Sequence, residues 1–197
     1  MAGQRPPMSQ STSEEALRAV TIGELKVVNG PVELAEYDPA WPARFEREAG
    51  RIRSVLGDRV RLLEHVGSTS VPRLAAKPII DIVLAVPDSA DEPAYVAPLE
   101  GAGYALRIRE PEWFEHRLLR GSDSNVNVHV FTDGSVEIAR MLAFRDWLRN
   151  HDDERTLYEQ TKRELAARTW KYVQHYADAK TEVVEGIIAR AIAAESR

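Results

Sequence analysis

A glycine followed by three hydroxyl residues is the group in this chain whose residue types point most directly to chemistry. Gly67, Ser68, Thr69 and Ser70 form this segment, the hydroxyl turn, and Lys77 lies shortly downstream. Glycine lets the backbone approach a ligand closely, and hydroxyls with successive backbone N–H groups form an anion-binding concavity. A lysine adds a point charge for phosphate. The pattern indicates a phosphate site, although a turn that only caps a short following helix is also an open interpretation.

An aspartate stands within the most apolar segment of the chain. Residues 79–86 are apolar apart from Asp81, as is typical of a central strand that is buried on both faces. A buried carboxylate costs several kcal/mol unless it is paired or bound to a metal. Asp81 is therefore a candidate catalytic residue and metal ligand. A salt bridge with a nearby arginine or lysine, or a strand end bent towards solvent, would explain it without any function.

The next residue on the same face of that strand is Val83, because residues two apart share a face. A two-metal nucleotidyl-transfer site usually places a second carboxylate at this spacing, to offset the charge of two magnesium ions. Valine cannot ligate a metal, so the pattern of such a site is incomplete here.

Two histidines and an arginine complete the set of candidates. His129, which shares a strand face with Asn127, could bind phosphate, act as a general base or ligate a metal. His65 directly precedes the hydroxyl turn and is weighed in the same way. Arg145 lies on a predicted helix and could reach a phosphate pocket. The alternatives are hydrogen-bonded structural histidines and a solvated basic edge.

The composition sets limits on partners and location. The chain has 197 residues, a net charge of −5 and no cysteine. This length suits one folded domain, and the acidic balance disfavours general nucleic-acid binding while leaving room for a local basic pocket. No apolar run reaches the roughly 18 residues that a membrane span needs, and the N-terminus lacks a secretion signal. We therefore expect a cytoplasmic protein without a membrane partner, whose oligomeric state is open.

The elements that must position these residues follow from the spacing of apolar side chains. Residues 1–30 are expected to form a flexible, partly helical extension, and residues 31–197 the folded domain. Strands are predicted at 32–37, 60–66, 79–86, 104–109, 115–119 and 126–131, with a hairpin connection at 123–125. Helices are predicted at 38–57, 95–99, 135–149, 152–170 and 171–194. This order predicts an α+β (α/β-like) fold, in which helices flank a mixed β-sheet and the C-terminal region is helical.

Several of these segments together resemble the GrpB family of the nucleotidyltransferase-like superfamily. They include His65-Val-Gly-Ser-Thr-Ser-Val-Pro and Asn127-Val-His-Val-Phe. The other matching positions are 32–42, Phe45, 75–82, 144–150, Tyr158, Lys162, Tyr172 and Lys180. The resemblance implies a nucleotidyltransferase-type fold with a cleft beside the hydroxyl turn. The superfamily pattern maps onto the hydroxyl turn and Asp81, and it fails at Val83.

Two hypotheses follow from the resemblance. In the first, the protein is an enzyme that transfers a nucleotidyl group from a nucleoside triphosphate to an unknown acceptor. The hydroxyl turn, His65, Lys77 and Arg145 would hold the phosphates, and Asp81, alone or with His129, would hold a single Mg²⁺. In the second, the protein is a module that binds a nucleotide or phosphorylated metabolite and has lost the chemistry together with the second acid.

Overall fold

Five strands form one mixed sheet in the computed structural model, which describes residues 11–122 and 125–195. The strands are β1 (Leu62–Val66), β2 (Ile80–Val86), β3 (Tyr104–Glu110), β4 (His116–Gly121) and β5 (Val126–Thr132). The helices are α1 (Glu14–Val20), α2 (Trp41–Leu56), α3 (Val96–Gly101), α4 (Val136–Asn150), α5 (Asp152–Ala166), α6 (Val173–Asp178) and α7 (Thr181–Glu195). The expected α+β fold with a helical C-terminal region is confirmed.

The sheet order is β1-β2-β5-β4-β3. Only the pair β2–β5 is parallel, and the other three pairs are antiparallel. Strand β2 is therefore the second strand from one edge, and β5 is the central strand. The register places Asp81 beside Asn127, and Val83 beside His129. The candidate residues of two strands that are distant in sequence thus lie on one face of the sheet.

The two faces of β2 pack against different helices. Ile80, Ile82 and Leu84 join the main core with α2 and α3. On the opposite face, Val83 and Ala85 pack with residues of α4 in a second core. The continuous apolar run was expected to indicate burial on both faces, and this is confirmed.

Helix α2 is correctly predicted along its length but not at its start. Trp41, Phe45, Ile52 and Leu56 are all buried on one face, as expected. The helix begins at Trp41 rather than at 38, because the side chain and carbonyl of Asp38 accept bonds from the backbone N–H groups of residues 40 and 41. Asp38 therefore makes a turn that precedes the helix.

Two other element predictions are wrong in part. Residues 32–37 do not form a strand, because only Ala35 pairs, with Ala76, in an isolated bridge. The predicted helix 171–194 is divided into α6 and α7, with Lys180 between them. The Lys180 side chain lies over the ring of Tyr176, with its Nζ 4.3 Å from the ring centroid.

Residues 11–30, which the sequence predicts to be a flexible extension, contact the rest of the domain. Leu17 of α1 is buried with 6% of its surface exposed. Thr21 bridges to Ile108 of β3, and Lys171 lies 2.5 Å from the carboxylate of Glu14. The division of the chain at residue 31 stays a prediction. Residues 1–10 and two of the three residues of the expected connection at 123–125, Asp123 and Ser124, lie outside the described residues.

None of the helices in the described ranges has both the length and the apolar character needed to cross a bilayer. The cytoplasmic location stays a prediction.

Candidate functional site

The hydroxyl turn lies directly over Asp81. Gly67 has a φ of 68°, in the left-handed region that favours glycine. A Cβ at this position would lie 2.6 Å from Oδ2 of Asp81. The turn is closed by the Ser70 hydroxyl, which donates to the Gly67 carbonyl at 2.6 Å. Glycine is therefore required here for the backbone to approach the carboxylate.

His65 and Thr69 hold the hydroxyl turn in place through hydrogen bonds. Nε2 of His65 lies 3.0 Å from the Thr69 hydroxyl, which donates to the carbonyl of Ile79 at 3.1 Å. The imidazole stacks on Phe45, and burial lowers its pKa to about 4. His65 is thus a neutral, buried ring whose hydrogen bond connects the turn to the segment before β2.

Asp81 is held as a carboxylate at the edge of the exposed surface. Its Oδ1 accepts a hydrogen bond from Nδ2 of Asn127 at 2.8 Å and lies 3.6 Å from Nε2 of His129. Burial raises its pKa, but the hydrogen bonds from His129 and Asn127 and the charge of Lys77 outweigh it and hold the pKa below its usual value. The side chain is 28% exposed, so a ligand can approach this anion.

Three lysines from distant segments lie around the hydroxyl turn and Asp81, and they form the lysine cluster: Lys77, Lys162 and Lys180. The ammonium group of Lys162 donates to the Ser68 hydroxyl at 3.1 Å and to the Ala75 carbonyl. The Nζ atoms of Lys77 and Lys180 lie 5.9 Å and 4.3 Å from the centroid of the same Tyr176 ring.

The lysine cluster carries charge that the protein does not neutralise closely. Within the described ranges, no carboxylate lies within 4.0 Å of any of its three amino groups. Burial and, to a smaller extent, the charge of Lys180 lower the pKa of Lys162 to about 7. Burial likewise lowers the pKa values of Lys77 and Lys180 to about 8.

The ring of a buried tyrosine adjoins the lysine cluster. Tyr176 is 1% exposed, and its hydroxyl has no hydrogen-bond partner among the residues that the structure describes. Buried polar groups normally have such a partner. The Tyr176 hydroxyl is therefore a further group that a bound ligand could satisfy.

Arg145 and Arg149 support the turn through its backbone. Arg145 donates to the His65 carbonyl at 3.0 Å and is paired with two carboxylates, those of Glu64 and Asp146. Arg149 donates twice to the Ser70 carbonyl, at 3.0 and 2.8 Å. The structure thus places Arg145 as a support for β1, with its charge already paired.

His129 belongs to a row of side chains that crosses four strands. Its Nδ1 lies 3.1 Å from Nε2 of His116, and Nδ1 of His116 lies 2.7 Å from a carboxylate oxygen of Glu110. His116 is a weaker candidate than His65 and His129 from the sequence and Glu110 is not a candidate, because the two residues meet His129 only through the pairing of β3, β4 and β5.

The expected magnesium ion fits these donors poorly. Mg²⁺ prefers oxygen ligands in octahedral geometry, and Asp81 is the carboxylate that the hydroxyl turn approaches. Val83, at the position of a second acid, is fully buried. In the described part of the chain, no three histidine, aspartate or glutamate side chains are grouped so that they could hold a metal ion. The cationic charge beside the turn comes instead from lysines.

Lys162 and Lys180 are the site residues that pattern reasoning missed, although both are among the positions that resemble the GrpB family. Each follows a buried tyrosine by one helical turn: Tyr158 precedes Lys162, and Tyr176 precedes Lys180. A lysine on the buried face of a predicted helix is a local signal that could have identified them.

Comparisons with known proteins agree with this architecture. The family model described as GrpB protein matches residues 31–190. The chain is 57% identical over 191 residues to a UPF0157 protein of Halalkalibacterium halodurans, covering 94% of this chain and 98% of that protein. It is 42% identical over 187 residues to a UPF0157 protein of Streptomyces coelicolor, covering 93% and 98%. The crystal structure of conserved protein GrpB from Enterococcus faecalis matches with a TM-score of 0.75 and 33% identity, over 84% of this chain and 100% of that one.

Proposed function

The chain belongs to the GrpB family, and we propose that its hydroxyl turn and lysine cluster bind the phosphate group of a nucleotide or phosphorylated small molecule. The observation that carries this proposal is the lysine cluster itself, in which three largely buried amino groups have no carboxylate within 4.0 Å among the described residues. Buried charges of one sign are costly unless an opposite charge compensates them. A phosphate would provide that charge.

The hydroxyl turn gives the anion a defined place. Its backbone passes close to Asp81 because residue 67 is a glycine, and the Ser68 hydroxyl oxygen accepts a hydrogen bond from Lys162. Ammonium groups are strong donors to phosphate oxygens. The site is local, on a chain whose net charge is −5, and this favours a small anionic ligand over a nucleic acid.

A second candidate function is nucleotidyl transfer with a single Mg²⁺, and one observation favours it: Asp81 is held ionised beside the turn. Asp81 would provide the protein's carboxylate, and such an ion would supply charge neutralisation of the phosphates. Val83 stands at the position of the second carboxylate, so the lysine cluster, in place of a second metal ion, would neutralise the remaining charge of the phosphates.

A thermal-shift comparison tests the proposal. The full chain is heated with ATP, AMP or ribose 5-phosphate, each with and without MgCl₂. Binding at a hundredfold excess over Kd stabilises a fold by about 2.7 kcal/mol, so at least one ligand should raise the Tm without Mg²⁺. Lys180→Met should remove that rise. Lys26→Met, which alters an exposed lysine far from the turn in sequence, is the matched control and should keep it.

The outcomes separate the two functions. A Tm rise that is independent of Mg²⁺ and lost in Lys180→Met supports binding by the lysine cluster. A rise that requires Mg²⁺ and is lost in Asp81→Asn supports the single-metal enzyme instead. If no ligand raises the Tm in any condition, the proposed function is wrong.

A further inference from the structure

We propose that the lysine cluster is matched to a phosphate monoester dianion, a terminal phosphate group on a small molecule, rather than to a phosphodiester. This inference rests on the proposed function and adds the class of the bound group. It follows from a count of the charges around the site and from the burial of the groups that carry them.

The charge count leaves an excess of two. With an anion bound, which favours the ammonium forms, the lysine cluster carries three positive charges, and Asp81 contributes one negative charge that acts on both Lys77 and Lys180. A phosphate monoester carries close to two negative charges near neutral pH, because its second pKa is about 6. A diester carries only one, and would leave a buried positive charge without compensation.

The other charged side chains near the lysine cluster are either paired with an opposite charge or exposed to solvent. Glu159, which acts on Lys162, is paired with Arg163, and Arg163 is also paired with Glu36. Arg120, which acts on Lys77, is exposed, so solvent screens its charge.

The two arginines that donate to the backbone near the hydroxyl turn also have carboxylate partners. Arg145 is paired with Glu64 and Asp146, and Arg149 lies 3.3 Å from Asp146. Both donate to backbone carbonyls next to or within the turn. They therefore do not change the excess of two charges that the lysine cluster leaves.

Burial favours a terminal group. Lys162 is only 2% exposed, and its ammonium group already donates to Ser68 and Ala75. Of its three donors, one is left for a ligand. The Tyr176 hydroxyl is buried without a partner among the described residues. A phosphorus atom with one substituent can present three oxygens to such groups, whereas a diester has substituents on two sides and can present only two.

An NMR titration of the ¹⁵N-labelled full chain at pH 7.0 tests the inference. Methyl phosphate and dimethyl phosphate are the probes, because they differ by one methyl group and one charge. We expect methyl phosphate to bind at least tenfold more tightly, which corresponds to about 1.4 kcal/mol. The amide signals of the hydroxyl turn should shift.

Variants connect the effect to the lysine cluster. Lys180→Met should reduce the preference for methyl phosphate over dimethyl phosphate to less than about threefold, because the charge excess falls from two to one. Lys26→Met should leave the preference unchanged. The amide spectrum of each variant shows directly whether the fold is retained, and Lys77→Met serves as the second variant if Lys180→Met does not fold.

Two results would overturn the inference, and only the second would also refute the proposed function. Equal affinities for methyl and dimethyl phosphate at the hydroxyl turn would refute the charge match but retain phosphate binding. Absence of shifts at the turn with methyl phosphate, AMP and ATP alike would refute the proposed function as well.

Discussion

At the scale of single residues, three lysines and one aspartate share the region around the hydroxyl turn, and their surroundings move their pKa values. Burial lowers the pKa of each lysine, while the hydrogen bonds to Asp81 keep that carboxylate ionised in spite of its burial. The lysine cluster is therefore close to changing its charge near neutral pH. Its charge state becomes sensitive to any anion that binds there.

Binding of methyl phosphate at pH 8 is expected to take up protons. Without ligand, the pKa is about 7 for Lys162 and about 8 for Lys77 and Lys180, so the cluster is partly neutral at this pH. A bound dianion favours the ammonium forms and raises these pKa values. Affinity should therefore fall as the pH rises above 8. A pH electrode in unbuffered solution measures the uptake, since methyl phosphate is already a dianion at pH 8.

The size of the uptake provides its own control. Lys180→Met should take up fewer protons per bound phosphate than the wild type, and Lys26→Met should take up the same number. If binding at pH 8 leaves the pH of the solution unchanged, the lysines are fully protonated before binding and this account of their charge is incorrect.

At the scale of elements, the sequence predicts most strands and helices, because their apolar spacing is strong. The buried strand β2, the apolar face of α2 and the end of α2 at Gly57 are all confirmed. The strand predicted at residues 32–37 is wrong, because the apolar side chains of this segment pack against the hydrophobic cores while its backbone has no continuous strand partner. The hydroxyl turn was predicted from composition, but its approach to Asp81 depends on the pairing of β1 with β2, which the pattern does not give.

Gly67→Ala is expected to lower the free energy of unfolding by about 2–3 kcal/mol. A left-handed backbone costs alanine about 1–2 kcal/mol, and the added Cβ would also meet the Asp81 carboxylate at 2.6 Å. In an Asp81→Ala background the clash with the carboxylate is removed and only the contact with Cβ of residue 81, at 3.1 Å, is left, which gives a coupling of about 1 kcal/mol. Urea denaturation of the four proteins of this cycle measures it.

Gly57→Ala is the matched control for that cycle. Gly57 also has a positive φ, of 52°, but a Cβ there would meet nothing within 4 Å. Gly57→Ala should therefore lower the free energy of unfolding only by the cost of the left-handed backbone, and by the same amount in the wild-type and Asp81→Ala backgrounds. If Gly67→Ala lowers the free energy of unfolding equally in both backgrounds, the added Cβ does not clash with the Asp81 carboxylate.

At the scale of the whole molecule, the candidate site is assembled from parts that are far apart in the chain. Lys162 lies on α5 and Lys180 between α6 and α7, whereas the hydroxyl turn follows β1. The hydroxyl turn, Lys77 and Asp81 could be predicted as site residues because they lie within fifteen residues of each other. Lys162 and Lys180 could not, because their position depends on how the C-terminal helices pack against the sheet.

The same assembly predicts how salt and nucleic acid affect the protein. The molecule carries a net charge of −5, and the lysine cluster beside the turn combines a buried lysine, Lys162, with two half-buried ones. Duplex DNA binds through many exposed phosphate contacts, and its affinity falls by orders of magnitude between 50 and 200 mM salt. Buried charges are screened much less. We therefore expect the Kd for methyl phosphate to change less than about threefold over that range.

A fluorescent 20-base-pair duplex provides the comparison. It should show no binding to the protein at 10 µM and 150 mM salt, where non-specific DNA-binding proteins typically have a Kd of about 10⁻⁴–10⁻⁶ M. Micromolar binding of the duplex, lost in Lys180→Met, would mean that the lysine cluster is open enough to accept a diester backbone. The charge match to a terminal phosphate would then be wrong, and the site would have to be regarded as part of a wider anionic surface contact.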